Sequence, residues 1–215
     1  CKFFVGLSHS RFNRRARMLL PLIRCIRQAW NQEVKTAGEF LIIDSFPVPV
    51  CQPVRNYRVK IFRGVADIGY KATKKVYYYG FKVHAIVSDD GYLLDYAVTK
   101  ASVHDAKETV ELMIDAHPAN HYLLGDEGYL GKNLATNLKR MGYVLWMPYR
   151  KNMQGARRHN DHQLMAIRRS IESDFSLLSY YNAENNRARS PVGFQQRLEI
   201  AILAYNMAYC LERFN

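Results

Sequence analysis

The sequence is short of the features that mark secreted, zinc-stapled or membrane-bound proteins. Its four cysteines, Cys1, Cys25, Cys51 and Cys210, are scattered, with no C-x-x-C pair and no histidines at zinc-finger spacing. Neither a disulfide framework nor a structural zinc site is indicated, and a reducing compartment is. Long apolar runs are missing too. The most apolar stretch, "IAILAYNMAYCL" from Ile200 to Leu211, is shorter than a bilayer span and follows Arg197 and Glu199, so it reads as a buried helix. There is no internal repeat, no low-complexity segment and no signal-peptide pattern, and a first residue that is Cys and not Met reads as a fragment of a longer chain. Acids are scarce as well: 19 Asp and Glu against 31 Lys and Arg give a formal charge of +12, which suits a polyanionic partner, nucleic acid before any other. What the 215 residues do have is 48% hydrophobic content, enough for a packed core.

From Ser10 to Trp30 the apolar residues Leu19, Leu22, Ile23, Ile26 and Trp30 fall near helical spacing in a segment that also carries Arg14, Arg15, Arg17, Arg24 and Arg27. This is a basic amphipathic helical region, divided or kinked at Pro21. "FLIIDSFPVPV" is a β-favouring run expected to stop at Pro47 and Pro49. Residues 52–75 show no period and read as an irregular basic excursion. "KVYYYGFKVHAIVSDDGYLLDYAVTKAS" alternates on both sides of "DDG", the pattern of a β-hairpin. "HDAKETVELMIDAH" is helical, with Asp105 and Glu108 spaced as a capping box. A fourth strand in "HYLLGD", a helix ended by Gly142, a fifth strand in "YVLWMPY", a basic loop, a helix from near Leu164 and a last helix within 193–214 complete the order. Strands opening antiparallel and continuing as βα units predict an α/β fold with a mixed sheet of about five strands and flanking helices.

Three acids stand out by position: Asp44 in the first strand, Asp126 at the end of the fourth, and Glu172 on the helix after the basic loop. Each has a plain structural reading. Asp44 can be a strand-end turn residue before Ser45 and Pro47. Glu172 can pair on the helix surface with Arg168 or Arg169 for about 0.2–0.5 kcal/mol. Asp126 ends an apolar run, where a buried carboxylate needs solvent, a partner or a metal, and Gly125 and Gly128 leave its backbone uncrowded. Adjacent first and fourth strands would set Asp44 beside Asp126, with the helix bringing Glu172 opposite. Three such carboxylates repel unless cations sit among them, and hard divalent ions about 3.5–4 Å apart suit phosphoryl transfer. Strand alternation predicts that Glu127 points away from this cluster.

Five blocks, "LIIDSFPV", "YYGFKVHAIVSDDGYLLDYAVTKASVHDA", "YLLGDEGYLG", "RRSIESDFSLL" and "GFQQRLEIAILAYNMAY", together resemble the DDE transposases of bacterial insertion sequences, from about Ser10 to the end. The resemblance implies an RNase H-like fold. It implies that Asp44, Asp126 and Glu172 hold two Mg2+ or Mn2+ ions for cleavage of DNA at element ends and strand transfer to target DNA. A homodimer bridging two ends, in the bacterial cytoplasm at the nucleoid, is implied with it, and no membrane. The expected division is a basic helical segment over 1–38, the remnant of a longer N-terminal region, and a catalytic domain over 39–215. Lys82, His84 and Arg169 are candidate DNA contacts, each equally readable as a surface or salt-bridge residue, while Arg157 and Arg158, flanked by Gly155 and His159, suggest a phosphate contact and not merely a solvated turn. Two other readings stand beside this one: a non-catalytic or decayed DNA-binding fragment, and, from His104 and Asp105, an HD-type metal phosphohydrolase, whose fold is all-helical.

Overall fold

A computed structural model describes residues 8–34, 38–71, 75–116, 118, 120–129 and 131–213. The basic N-terminal region forms α1 (His9–Met18) and α2 (Leu20–Glu33). Pro21 sits in the first turn of α2, where its missing N–H costs nothing, so the break falls just before it. The sheet contains β1 (Phe40–Pro49), β2 (Asp67–Lys71), β3 (Val76–Ser88), β4 (Leu93–Lys100), β5 (Tyr122–Leu124) and β6 (Val144–Trp146). Between and after the later strands lie α3 (Asp105–Ala116), α4 (Lys132–Arg140), the single turn α5 (Ala156–His159), α6 (His162–Tyr180) and α7 (Pro191–Arg213). The expected helix ends at His117 and Phe214 lie outside the described residues.

Strand β1 is central. It pairs antiparallel with β3 and parallel with β5, which pairs parallel with β6, while β4 runs antiparallel to the other side of β3. This is the expected mixed sheet with one strand more than the five predicted. The addition is β2, which pairs with the first part of β3, end to end with β4, so closely that a Cβ on Gly69 would lie 2.5 Å from the Ala101 carbonyl oxygen. Its sequence, "DIGYK", buries only the glycine, which is why no apolar period announces it.

Two cores flank the sheet. Ile42, Phe46 and Val48 of β1 join Ile171 and Leu178 of α6 and Leu198 and Ile202 of α7. Leu41 and Ile43 face the other way, onto Leu112 and Met113 of α3 and Leu138 of α4. Alternation along β1 therefore sends residue 44 to the α6 face. β1 also runs through both prolines, where a stop was expected. Its pairing with β5 ends at Ile42, so on that side the later residues carry no ladder for a proline to break.

The N-terminal helices are fastened to the end of the fold. Glu199 on α7, 1% exposed, accepts from Arg27 Nε at 2.9 Å and from Arg24 Nε at 3.1 Å. Arg27 also reaches Asp95 of β4 at 3.0 Å, so its buried guanidinium is paired twice.

Candidate active site

The last registered pair between the parallel strands is Ile42 with Leu124. Asp44 and Asp126 each lie two residues beyond it, at the point where β1 and β5 part. A crevice at the carboxyl ends of parallel strands is where open α/β sheets gather ligands. The chain leaves β5 at once, turning through a 3-10 segment, Glu127–Tyr129. Asp126 stabilises that turn by accepting the Gly128 N–H at 2.7 Å. Glycine is needed there for space, since a Cβ at 128 would stand 2.9 Å from the Asp126 carboxylate. Because the strand has ended, the turn and not alternation sets the direction of Glu127, which pairs with Arg150 at 3.6 Å.

The cleft at this point has a volume of about 830 Å³ and is lined by Asp44, Asp105, Asp126 and Glu172 together with Lys82 and Arg168. The structure thus brings the three acids singled out by the sequence to one cavity, with Asp105 as a fourth. Arg168 lies between two of them: its guanidinium donates to Asp44 Oδ2 at 3.2 Å and stands 3.9 Å from Glu172 Oε1. Glu172, with 69% of its side chain exposed, is on the cleft side of α6 and not on a remote face. Asp44 is the desolvated member, with its side chain 18% exposed. Burial pushes its carboxyl up to about 7 against the pull of Arg168 and the Ser45 N–H, and the charges of Asp126 and Asp105 add to the rise.

Around them the supporting groups are buried. The Tyr129 hydroxyl and Arg168 Nε have no hydrogen-bond partner among the described residues. Burial, then the charges of Asp44, Asp105 and Asp126, holds the Tyr129 phenol well above its ordinary range. Asp105, at the start of α3, is tied to the sheet: Ser45 Oγ donates to it at 2.8 Å, and Lys82 Nζ stands 3.1 Å away. Sequence reasoning missed Asp105 and Arg168 as parts of this site. Their links to Ser45 and Asp44 span 60 and 124 residues, beyond the reach of local spacing.

The donor chemistry suits a hard divalent cation: every acidic group on the cleft offers oxygen, and a carboxylate desolvated beside other carboxylates gains from a positive ion. Among the described residues no three of the His, Cys, Asp and Glu side chains converge tightly enough to share one ion. In this arrangement Arg168 is the cation between Asp44 and Glu172, and its contact with the largely exposed Glu172 is the looser of the two.

The five candidate DNA contacts divide. Arg157 and Arg158 are exposed on α5, and Arg169 is exposed on α6, donating to the Met165 carbonyl at 3.1 Å. Lys82 lines the cleft but is held by Asp105 and by the Val103 carbonyl at 2.9 Å. His84 is 1% exposed, its Nε2 2.9 Å from Thr99 Oγ1 and its Nδ1 3.5 Å from Asp105, and so has no surface to offer a phosphate. The cause is that β3 is buried on both faces over this stretch. The loop carrying α5 is braced at its root. Asn160 makes two hydrogen bonds with the Tyr149 backbone, and the His159 ring stacks on Tyr149 with centroids 3.7 Å apart.

Residues 35–207 match the family described as the transposase DDE domain. No curated protein matches the sequence. Solved structures similar to this chain include the catalytic core domain of BIV integrase, at 9% identity and a TM-score of 0.47 over 83% of this chain and 97% of that one. The piggyBac transposase in a synaptic complex with hairpin DNA is similar at 12% identity and a TM-score of 0.45, over 88% of this chain and 52% of that one. The Mos1 mariner paired-end complex with Mn gives 10% identity and a TM-score of 0.35, over 95% of this chain and 64% of that one.

Proposed function

Since the chain belongs to the transposase DDE domain family, we propose that it cleaves DNA at the ends of a bacterial insertion sequence and joins the freed ends to target DNA, with Asp44, Asp126 and Glu172 as its metal ligands. The observation that carries this reading is the equal offset of Asp44 and Asp126 from the last paired residues of two parting strands, with Glu172 on the same cleft. Two divalent ions, Mg2+ or Mn2+, supply activation of the attacking hydroxyl and charge stabilisation at the scissile phosphate when bound. Asp44 and Asp126 are fixed by strand and turn, which keeps their oxygens in place without reorganisation. Glu172 shares Arg168 with Asp44, so the arginine restrains both carboxylates from the helix side. Arg157, Arg158 and Arg169, all exposed, would offer positive charge to the DNA backbone.

In this reading residues 39–215 are the catalytic domain and 1–38 a basic segment whose helices α1 and α2 pack against α7, and two copies in the cytoplasm bridge two element ends at the nucleoid. The HD-type alternative needs an all-helical fold, which a six-stranded sheet is not.

The test is cleavage of oligonucleotides carrying the ends of the element that encodes this chain. Cleavage should require Mg2+ or Mn2+, and Asp44→Asn, Asp126→Asn and Glu172→Gln should each abolish it with DNA affinity largely kept, because ligands to the metal act on the transition state. Full activity in one variant removes that residue from the set. Binding without cleavage in the wild type identifies a decayed, DNA-binding fragment instead.

A further inference from the structure

The carboxylate cleft does not end at its lining helix. A second groove of about 690 Å³ adjoins it, and the two share Lys71, Tyr78 and Glu184 in their walls. At the shared wall Lys71 and Glu184 stand 3.9 Å apart, both partly exposed, as a loose ion pair across the passage. Beyond it the groove is lined by Pro49, Pro53, Arg187 and Arg189.

These two arginines are displayed by a rigid segment. In the connection from α6 to α7, Asn186 and Ala188 are buried while Arg187 and Arg189 are exposed. Asn186 fixes the alternation, donating to the Phe194 carbonyl at 2.9 Å and accepting from the Ala188 N–H at 3.2 Å. Neither arginine has a hydrogen-bond or ion-pair partner among the described residues. Two unpaired guanidinium groups, held two residues apart along a groove that opens into an acidic cleft, match successive backbone phosphates, which guanidinium planes bind through paired N–H donors.

We propose that this groove continues the cleft as the track of a single DNA strand, with Arg187 and Arg189 on phosphates beyond the one held at the carboxylates. The inference rests on the DNA-cleaving reading above and adds to it a direction for the bound strand. Lys71 exchanges Glu184 for a phosphate as the strand passes.

The experiment measures binding of fluorescein-labelled oligo-dT of 4 to about 20 nucleotides in Ca2+ by anisotropy, for the wild type, for Arg187→Ala/Arg189→Ala, and for a control with equal charge loss on α1, Arg14→Ala/Arg15→Ala. The groove predicts that wild type and groove variant agree at short lengths and separate beyond a threshold. Past it the variant should bind roughly tenfold more weakly, with log K against log salt flattened by about 1.4 for two lost single-strand phosphate contacts. The α1 control should show no such threshold. A loss independent of length, a loss equal to that of the control, or no loss overturns the track. Failure of the catalytic reading is seen separately, as absence of metal-dependent cleavage of element ends, an assay in which these oligonucleotides take no part.

Discussion

Arg168 Nη2 lies 3.2 Å from Asp44 Oδ2, across 124 residues of sequence, while its Nη1 stands 3.9 Å from Glu172 one helical turn away. A single guanidinium thus relates the strand carboxylate to the helix carboxylate before any ion is bound. Arg168→Ala should lower metal-dependent cleavage by about 10–100-fold, the usual cost of losing a group that orients metal ligands. Arg168→Lys should recover only part of it, since an ammonium keeps the charge but not the planar fork. Cleavage rate against Mg2+ concentration checks both, and wild-type rates in Arg168→Ala would make the bridge incidental.

Divalent ions should stabilise the folded protein through the same cleft. At a hundred times its dissociation constant an ion adds about 2.7 kcal/mol, which for a chain of this size is roughly 5–10 °C in Tm. Thermal denaturation with Mg2+ and after EDTA should show that difference in the wild type and not in Asp126→Asn. An equal shift in both would place ion binding elsewhere.

His84 governs a different pH range of stability. Burial pushes its imidazole down to about 4, opposed by Asp105 and aided by Lys82. The unfolded chain takes up this proton near pH 6.5, so the contribution to stability is whole above that value and is lost as pH falls toward 4. The loss amounts to up to about 3 kcal/mol. Urea denaturation at pH 7 and pH 4.5 should show a smaller acid loss in His84→Gln than in the wild type, and the same loss in both would contradict the assignment.

Arg157 and Arg158 should matter to affinity and not to chemistry. Replacing both by alanine should weaken binding across DNA sequences and flatten the salt dependence of log K by up to about two units. Titrations between 50 and 200 mM salt decide it, and an unchanged slope would put α5 away from the DNA.

These outcomes bear on what the sequence discloses about itself. Element order was legible because β1, β3 and β5 carry strong apolar patterns and because α3, α4, α6 and α7 carry helical ones. β2 was not, since a strand that buries only Gly69 leaves no period behind. The direction of Asp44 follows from alternation between Ile42 and Phe46, a local property. The burial of His84 does not, because both faces of β3 are covered by elements far away in sequence. Arg168 was visible only as a neighbour of Glu172 at helical spacing, and its bond to Asp44 exists only after folding.

Removing Glu199 should be costly. Glu199→Gln leaves Arg27, 5% exposed, with less than its full charge balance, and the loss of one partner from a buried ion pair costs about 3–5 kcal/mol. Chemical denaturation should show it, with Arg27→Met/Glu199→Leu recovering part of the loss. A change under about 1 kcal/mol would mean that the pair is as weak as a surface one.

The same pair sets a clock on biosynthesis. Arg27 leaves the ribosome 172 residues before Glu199, an interval on the order of ten to thirty seconds at synthesis rates of about 5–20 residues per second. Until then the nascent chain holds a guanidinium with no counterion on α7, and α2 has nothing to dock on. The cleft lies between β1, made early, and α6, made late, so translation delivers its two walls apart in time. The cleft is therefore complete only after α6, its later wall, has been synthesised.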